Sequence, residues 1–332
     1  MTAFNLAAGA APHHAVNAIL MQKSTETPIT ITFLLFERFS NLCLANCLEP
    51  MRAANGFLPR PAYRWRFATM DGGPVRTSSD LPVLPDGALA GSGATDRLFV
   101  LASYDHLRHD TAETRRALAR AGQRAGEVVG LDAGAWLMAG AGLLRDRRAT
   151  IHWDLSEAFA ERFLDITVEQ VPHLRDGDRV TCAGAMAAFD LTRAMIRTDL
   201  GQAIALDVDG LFLSERPAPQ AAAVRGDPLV TRATALMRKH LEAPLALDAL
   251  ARALGTSSRT LTRRCQGALN LTPGALYRHL RLSAARQLVE SSTLPVSEIA
   301  LRCGYDDPSA LTRAFRTRFG RSPQQMRQAL PG

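Results

Sequence analysis

The sequence predicts a protein of two domains, an α/β domain built on a mostly parallel sheet followed by an all-α domain. Three observations support this prediction. Up to about residue 213, short apolar runs alternate with segments of helical periodicity; a Pro- and Ala-rich stretch without periodicity follows; and the last third is helical in pattern and rich in arginine. Strands that alternate with helices are typical of a parallel sheet that is covered by helices on both faces.

The elements of the first domain follow one another in a regular order. Strands are expected at 29–36, 63–70, 98–101 and 128–131, and shorter ones at 149–153, 166–171 and 179–182. Helices are expected at 42–54, 111–124, 155–163 and 187–200. Ligands of parallel sheets bind at the carboxyl ends of the strands, so candidate residues are sought at that edge.

The chain divides into four segments. We expect an N-terminal tail over residues 1–27, the α/β domain over 28–213, an interdomain linker over 214–226 and the helical domain over 227–332. The tail has no charged start followed by an apolar block, and no apolar run is long enough to cross a bilayer. The five cysteines are odd in number, scattered and without a C-x-x-C pair. These features argue against a secretory signal, a membrane location, disulfides and a zinc site, and they favour the cytoplasm.

Positive charge is concentrated in the last third of the chain. From residue 227 onward there are 16 Lys and Arg against 7 Asp and Glu, whereas the rest of the chain has 23 against 25. Such asymmetry is typical of a polyanion-binding module attached to a near-neutral domain, although a solvated arginine-rich surface would have the same composition.

The helical domain contains two segments of the same design. Each has a short amphipathic helix, a glycine turn (Gly255 and Gly304) and a second helix with a capping residue at its start. The start is Ser257 or Ser258 in the first segment and Asp307-Pro308 in the second. Both segments therefore predict a helix-turn-helix unit.

The two units are related by a spacing of 50 residues, which separates the equivalent core positions Leu261 and Leu311. A long helix at 273–290 lies between them. A rigid helix there would place the second helices in the DNA major groove about one turn of DNA apart. One such unit is weak evidence for DNA binding, whereas two units in a domain of net charge +9 are specific evidence for it.

The end of the chain carries a family resemblance. The stretch "DDPSALTRAFRTRFGRSPQQMR" resembles the signature of AraC/XylS-type regulators, and residues 227–330 are similar to that domain over its whole length. The resemblance implies that the second helices present to DNA the residues Ser258, Arg259, Thr262 and Arg263 in the first unit, and Pro308, Ser309, Thr312 and Arg313 in the second. Arginine suits bidentate contact with guanine, but phosphate contact or solvation is the alternative for each arginine. Pro308 cannot donate a hydrogen bond and is expected to start its helix, and Phe315 and Phe319 are expected in the core.

A second motif begins at Gly130 and reads "GLDAGAWLMAGAGLLRDRRATIHW". It predicts a strand, a sharp turn of small residues and a helix, which is how α/β enzymes present a nucleophile. At the tip of the turn stands Asp132 instead of Ser or Cys. A carboxylate does not replace a thiolate in amide hydrolysis without a rebuilt site, so we expect no hydrolase activity.

The stretches "AGLLRDRRATIHW" and "VTCAGAMAAFDLTRAMI" resemble the PfpI-like, class I glutamine-amidotransferase-like domain. The resemblance implies a flavodoxin-like, doubly wound parallel sheet. In enzymes of that superfamily a cysteine at the elbow, a glutamate and a histidine lie together, and the corresponding positions here are Asp132, Glu49 and His152. The combination with an AraC-type module is similar to the GlxA family of transcription regulators.

Charge suggests what the first domain would bind. Asp132 and Glu49 would place two carboxylates in one partly dry cavity, where ionisation of both is unfavourable unless a cation neutralises them. The faces of tryptophan rings attract quaternary ammonium or guanidinium groups. The candidate ligand residues are Glu49, Asp132, Ala133, Trp136, His152 and Trp153. Core packing is the alternative for each tryptophan, and capping of the following helix is the alternative for Asp132. Family members with "LDTGAW"-like elbows sense betaine, carnitine or arginine-type compounds, and Ala133 departs from their common threonine.

Three functions are compatible with these motifs. The leading hypothesis is a one-component, non-enzymatic transcription regulator whose α/β domain senses a small cationic or amino-acid-like metabolite. The alternatives are a PfpI-like hydrolase or lyase fused to a DNA-binding domain, and an architectural DNA-binding protein with a ligand-free first domain. The expected partners are double-stranded DNA, a small effector, a second copy of the chain and RNA polymerase, with no metal, cofactor or membrane.

Overall fold

A computed structural model of the protein describes residues 27–212 and 227–328. The predicted linker at 214–226 and all of the predicted tail except Thr27 lie outside the described residues. None of the described helices is both long and apolar enough to span a bilayer.

The first part of the chain alternates strands and helices as the sequence predicts. The strands are β1 (Ile29–Leu35), β2 (Tyr63–Thr69), β3 (Val75–Arg76), β4 (Pro82–Val83), β5 (Gly87–Ala88), β6 (Thr95–Ala102), β7 (Ala125–Asp132), β8 (Arg148–Ala149), β9 (Thr167–Val168), β10 (His173–Asp176) and β11 (Arg179–Cys182). The helices are α1 (Asn41–Gly56), α2 (His106–His109), α3 (Ala112–Gln123), α4 (Gly134–Gly140), α5 (Ser156–Arg162), α6 (Ala185–Leu200) and α7 (Gln202–Phe212).

Seven of the strands form one sheet in the order β10-β11-β7-β6-β1-β2-β5. All neighbours are parallel except β10 and β11. Side chains alternate across the sheet: Phe33 packs on the face covered by α1, α6 and α7, and Leu34 packs on the face covered by α3, α4 and α5. Phe33 stacks between Phe67 and Phe99 of the adjacent strands, with ring centroids 5.9 and 4.8 Å away. The prediction of a mostly parallel sheet covered on both faces is confirmed.

Several elements differ from the prediction, and the short strands β3, β4 and β5 and the short helix α2 were not expected at all. The strand expected at 149–153 is only β8, which pairs with β9 in a separate two-stranded sheet, because the chain turns into a 3-10 helix at Trp153. The edge strand β10 has the polar sequence HLRD, which gives no apolar run to detect. Helix α7 continues the domain past the last predicted helix and packs against α6 and α1.

The second part of the chain is entirely helical in the described residues. Its helices are α8 (Pro228–Lys239), α9 (Leu247–Ala253), α10 (Ser258–Leu269), α11 (Pro273–Ser291), α12 (Val296–Arg302), α13 (Pro308–Phe319) and α14 (Pro323–Gln328). Two separate cores correspond to the two helix-turn-helix units, and Leu261 and Leu311 are fully buried in them. Helix α11 contributes Leu276 to the first core and Leu282 to the second. One rigid helix therefore joins both units, as predicted.

The second helices of the two units, α10 and α13, begin with similar caps. The Ser257 hydroxyl accepts a hydrogen bond from the Thr260 N–H, and the Asp307 carboxylate accepts from the N–H groups of Ser309 and Ala310. Ser257, not Ser258, is thus the cap of α10. Pro308 opens α13 as expected, since the first turn of a helix needs no N–H from it.

Candidate functional site

A sharp turn connects β7 to α4 and leaves Asp132 at its tip. Asp132 has the left-handed backbone conformation (φ 59°), which is uncommon for a residue other than glycine. Small neighbours make the turn possible: a Cβ on Gly134 would lie 2.0 Å from the Val100 carbonyl oxygen, and one on Gly130 would lie 2.9 Å from the Ala135 nitrogen. The strand–turn–helix predicted from the sequence is present, with a carboxylate at the position of a nucleophile.

The carboxylate of Asp132 lies among polar groups at the carboxyl edge of the sheet. Burial raises its pKa, while the Ser103 hydroxyl, His152 and His106 act to lower it. Ser103 follows β6, and its hydroxyl also accepts from the Ser40 N–H at 3.0 Å. His106 is buried at the start of α2. Burial lowers the pKa of its imidazole, and the charge of Asp132 acts in the opposite direction without cancelling this effect. The site thus combines one largely desolvated carboxylate with two imidazoles and a hydroxyl.

Two buried thiols face the same carboxylate. Burial raises the pKa of Cys43, and the neighbouring Cys47, Cys182 and Asp132 raise it further. Burial also raises the pKa of Cys182 to about 12, and its thiol donates to the Gly184 carbonyl oxygen at 3.5 Å. Neither thiol is activated as a thiolate, because nucleophilic cysteines need a lowered pKa.

Glu49 does not stand beside Asp132, contrary to the prediction. The buried side of α1 includes Cys43, Cys47 and Met51, at helical spacing, whereas Glu49 is exposed to solvent. Its carboxylate is half exposed and pairs with Arg52 at 2.7 Å. The residue of α1 that lies near Asp132 is Cys43 and not Glu49. Helical periodicity alone distinguishes these faces, because Cys43 and Cys47 share the apolar side.

The two tryptophans have different surroundings. Trp136 is a core residue, packed against His106, Phe159 and Phe163 with ring centroids 5.0 to 5.8 Å apart, as its core-packing alternative predicts. Trp153 is 78% exposed and lies beside the His152 ring. Of these two tryptophans, Trp153 is therefore the one with an aromatic face available to a ligand.

Ala133 is buried, and its N–H donates to the Ala102 carbonyl oxygen at 2.9 Å. Ala133 also occupies the capping position of α4 and has no side chain to cap with. Asp132 lies one residue before that position, and α4 begins without a side-chain cap. Cys43, Ser103 and His106 are site residues that the sequence did not indicate, although Ser103 and His106 directly follow the third predicted strand.

The exposed faces of α10 and α13 form a candidate nucleic-acid interface. Arg259, Arg263, Ser309 and Arg313 are exposed, and Thr262 and Thr312 are half-buried at equivalent positions. The Thr312 hydroxyl donates to the Pro308 carbonyl oxygen at 2.9 Å. Ser258 has an intramolecular role, because its hydroxyl donates to the Asp248 carboxylate.

The arginines of these helices fall into two groups. Arg264 pairs with Asp227 at 2.6 Å and ties α10 to the start of α8, and Arg318 pairs with the buried Asp207 at 2.6 Å. By contrast, Arg313 lies 3.8 Å from Asp307 with both side chains mostly exposed, which is a weak pair. Arg259, Arg263 and Arg313, the arginines expected at DNA, are all exposed.

Comparisons with known proteins agree with both domains. A model of a helix-turn-helix domain matches residues 250–329. The transcriptional regulator CdhR of Pseudomonas aeruginosa is 36% identical over 90% of this chain and 91% of its own length. The transcriptional regulator GlxA of Rhizobium meliloti is 32% identical over 90% of this chain and 95% of its own. The chain belongs to the GlxA family of transcription regulators. Both relatives are named as HTH-type transcriptional regulators, and DNA binding through the helix-turn-helix module is the activity that this GlxA-family protein shares with them.

A solved structure supports the fold of the first domain of this GlxA-family regulator. A ThiJ/PfpI family protein from Pseudomonas syringae is 22% identical, covers 65% of this chain and 87% of its own length, and superposes with a TM-score of 0.51. At that identity the similarity concerns the fold alone. The doubly wound α/β architecture of the PfpI type is confirmed, and the chemistry of the site follows from the residues of this chain.

Proposed function

We propose that the α/β domain of this regulator is a non-catalytic sensor of a small cationic metabolite, in the chemical class of betaine, carnitine or arginine. One observation carries the proposal: the elbow presents Asp132, a carboxylate that burial makes costly to ionise, where an enzyme of this fold would present a nucleophile. A cation bound beside Asp132 would supply the missing counter-charge and favour the ionised form. The exposed ring of Trp153 near His152 offers an aromatic face for the same ligand.

The enzymatic alternative has less support from the site. The thiols nearest to Asp132 belong to Cys43 and Cys182, and burial makes both weak acids. His152 has no activated nucleophile to serve, so we assign it to the orientation of the ligand. Turnover that disappears in Asp132→Ala and survives in Cys43→Ser and Cys182→Ser would favour the enzyme instead.

A thermal-shift experiment on the full chain tests the sensor. The ligands are glycine betaine, carnitine and arginine, and the matched control is tert-butylacetate, which has the shape of betaine but carries carbon in place of the cationic nitrogen. At a ligand concentration of about 100 times Kd, binding stabilises the native state by about 2.7 kcal/mol. We expect stabilisation by at least one cation, none by tert-butylacetate, and loss of the effect in Asp132→Asn. No response to any cationic metabolite, or an equal response to tert-butylacetate, would reject the proposal.

We propose further that the regulator binds DNA as a homodimer and contacts bases through Arg259, Arg263 and Arg313. Two copies on paired half-sites multiply affinity without any new contact. A fragment selected from random DNA by the full-length protein serves as the operator in all the experiments below. Sedimentation of the protein with that fragment measures the stoichiometry, and one chain per selected fragment would contradict the dimer.

A further inference from the structure

Helix α7 of the α/β domain carries a buried carboxylate whose partners belong to the DNA-binding domain. Asp207 is almost fully buried. Its Oδ2 accepts from Arg318 Nη2 at 2.6 Å, its Oδ1 lies 2.8 Å from His279 Nε2, and the Ser283 hydroxyl donates to the same carboxylate. His279 and Ser283 lie on α11, and Arg318 lies on α13. The Asp207 side chain thus contacts α11, which joins the two helix-turn-helix units, and also α13, the second helix of the second unit, which we call the second reading helix.

Further contacts surround this carboxylate. The Arg286 guanidinium of α11 lies over the ring of Phe57, which follows α1, at 4.8 Å from its centroid. A Cβ on Gly320, at the end of α13, would lie 3.4 Å from Pro59. Leu206, the neighbour of Asp207, packs against the core of the first helix-turn-helix unit. The two domains therefore meet at these residues as well as at Asp207.

The free energy of the buried, ionised Asp207 carboxylate depends on the three side chains that contact it. Burial acts to raise the pKa of Asp207, but His279, Arg318 and Ser283 outweigh it and hold the pKa below its ordinary value. A buried charge that loses its partner is strongly unfavourable, whereas a close partner and further hydrogen bonds offset part of the cost of burying it. Separation of α7 from α11 and α13 would remove this compensation and leave Asp207 without its partners.

The contact leaves the DNA-reading surface open. Arg318 is in the last turn of α13, while Ser309 and Arg313 are exposed nearer to its start. The α/β domain therefore does not cover the reading residues in this arrangement. It contacts α13 through the last turn, away from the exposed residues near the start of that helix.

We propose that Asp207 is the residue that couples the α/β domain to the DNA-binding domain, by fixing α11 and α13 against α7. A change in the position of α7, which also packs against the α1 helix of the Asp132 site, would alter how the second helix-turn-helix unit is held. Coupling of this kind is reciprocal, so DNA bound to one domain must affect the other.

Tryptophan fluorescence separates the domains, because the three tryptophans of the chain, Trp65, Trp136 and Trp153, all belong to the α/β domain. Thermal unfolding of the full-length protein is followed by this signal with and without the selected DNA fragment. In the wild type we expect DNA to raise the tryptophan-detected Tm by at least about 2 °C, since a ligand of one domain stabilises the domain docked on it. In Asp207→Asn the fragment should still bind, and the tryptophan-detected shift should disappear.

The matched control is Glu298→Gln, which makes the same change from carboxylate to amide in an exposed pair with Arg302 inside α12. It should keep the wild-type shift. A shift that persists in Asp207→Asn, or that is absent from the wild type, would overturn the proposal.

A second measurement covers the case in which Asp207→Asn does not fold. Arg60 and Arg321 are exposed beside Pro59 and Gly320, and all five native cysteines are buried, so spin labels can be placed at Arg60→Cys and Arg321→Cys. We expect one short distance in the otherwise wild-type protein and a broad, longer distribution in Ser283→Ala or Arg318→Gln. A broad distribution without either change, or a short distance that both changes leave intact, would also overturn the proposal.

Discussion

Replacement of Arg263 or Arg313 by alanine is predicted to weaken DNA binding selectively at the operator. Both side chains are exposed, and they occupy equivalent positions on α10 and α13. The one ion pair of Arg313 in the described structure, with Asp307, is long and solvated and contributes little to folding. Each replacement should therefore leave the Tm of the DNA-binding domain nearly unchanged.

The expected loss can be estimated from the chemistry of base recognition. A bidentate contact between arginine and guanine accounts for about 1–3 kcal/mol of discrimination, which corresponds to a factor of about 5 to 150 in Kd. Fluorescence anisotropy with the selected fragment and with a scrambled fragment, at one fixed salt concentration, measures this ratio. Affinity for the scrambled fragment should change much less than affinity for the selected one.

Arg264 is the matched control, because it neighbours Arg263 in sequence but pairs with Asp227 inside the domain. Arg264→Ala should lower stability without relaxing sequence preference. If Arg263→Ala and Arg313→Ala lose equal affinity for both fragments, the two arginines contact phosphates and the assignment of base contacts is wrong.

Three further replacements test the two folds and the Asp132 site. Asp132→Asn keeps a residue that tolerates a positive φ, and it should raise the Tm of the ligand-free protein at pH 7. Folding raises the pKa of Asp132, so ionisation of this carboxyl destabilises the native state once the pH is above the pKa in the unfolded chain. The gain in Tm should therefore vanish in acid. Phe315→Ala should cost about 3–5 kcal/mol in urea unfolding of the DNA-binding domain, since Phe315 is fully buried against Phe319; a cost below about 1 kcal/mol would contradict this packing. Gly134→Ala should unfold or displace the elbow, because its Cβ would lie 2.0 Å from the Val100 carbonyl oxygen, and a wild-type Tm would contradict the close approach.

The sequence predicts most of the fold because each main strand is a short buried run between helices. The second helices are also predictable, since in both units a glycine turn is followed by a capping residue and a core leucine, and the caps and the leucines of the two units are each 50 residues apart. Strand β10 and helix α7 were missed for physical reasons. A polar edge strand has no apolar signature, and α7 owes its position partly to contacts with the second domain.

The candidate sites were predictable only in part. Asp132 was found because the elbow is a local motif. The prediction for Glu49 was wrong because Cys43, Cys47 and Met51 are on the buried side of α1, and the Glu49 side chain turns to solvent. The partners of Asp207 lie 72 to 111 residues away in sequence, and nothing local in α7 indicates them.

The most direct test of the central claim measures DNA affinity with and without the cation that gives the largest thermal shift. A regulator in which the Asp132 site and the reading helices are coupled should change its Kd for the selected fragment by a factor of about 5 to 150 when that cation is bound. The Asp132→Asn protein should bind the fragment with a Kd that the cation does not alter. A wild-type protein that binds the cation tightly but keeps the same Kd for DNA would contradict the account.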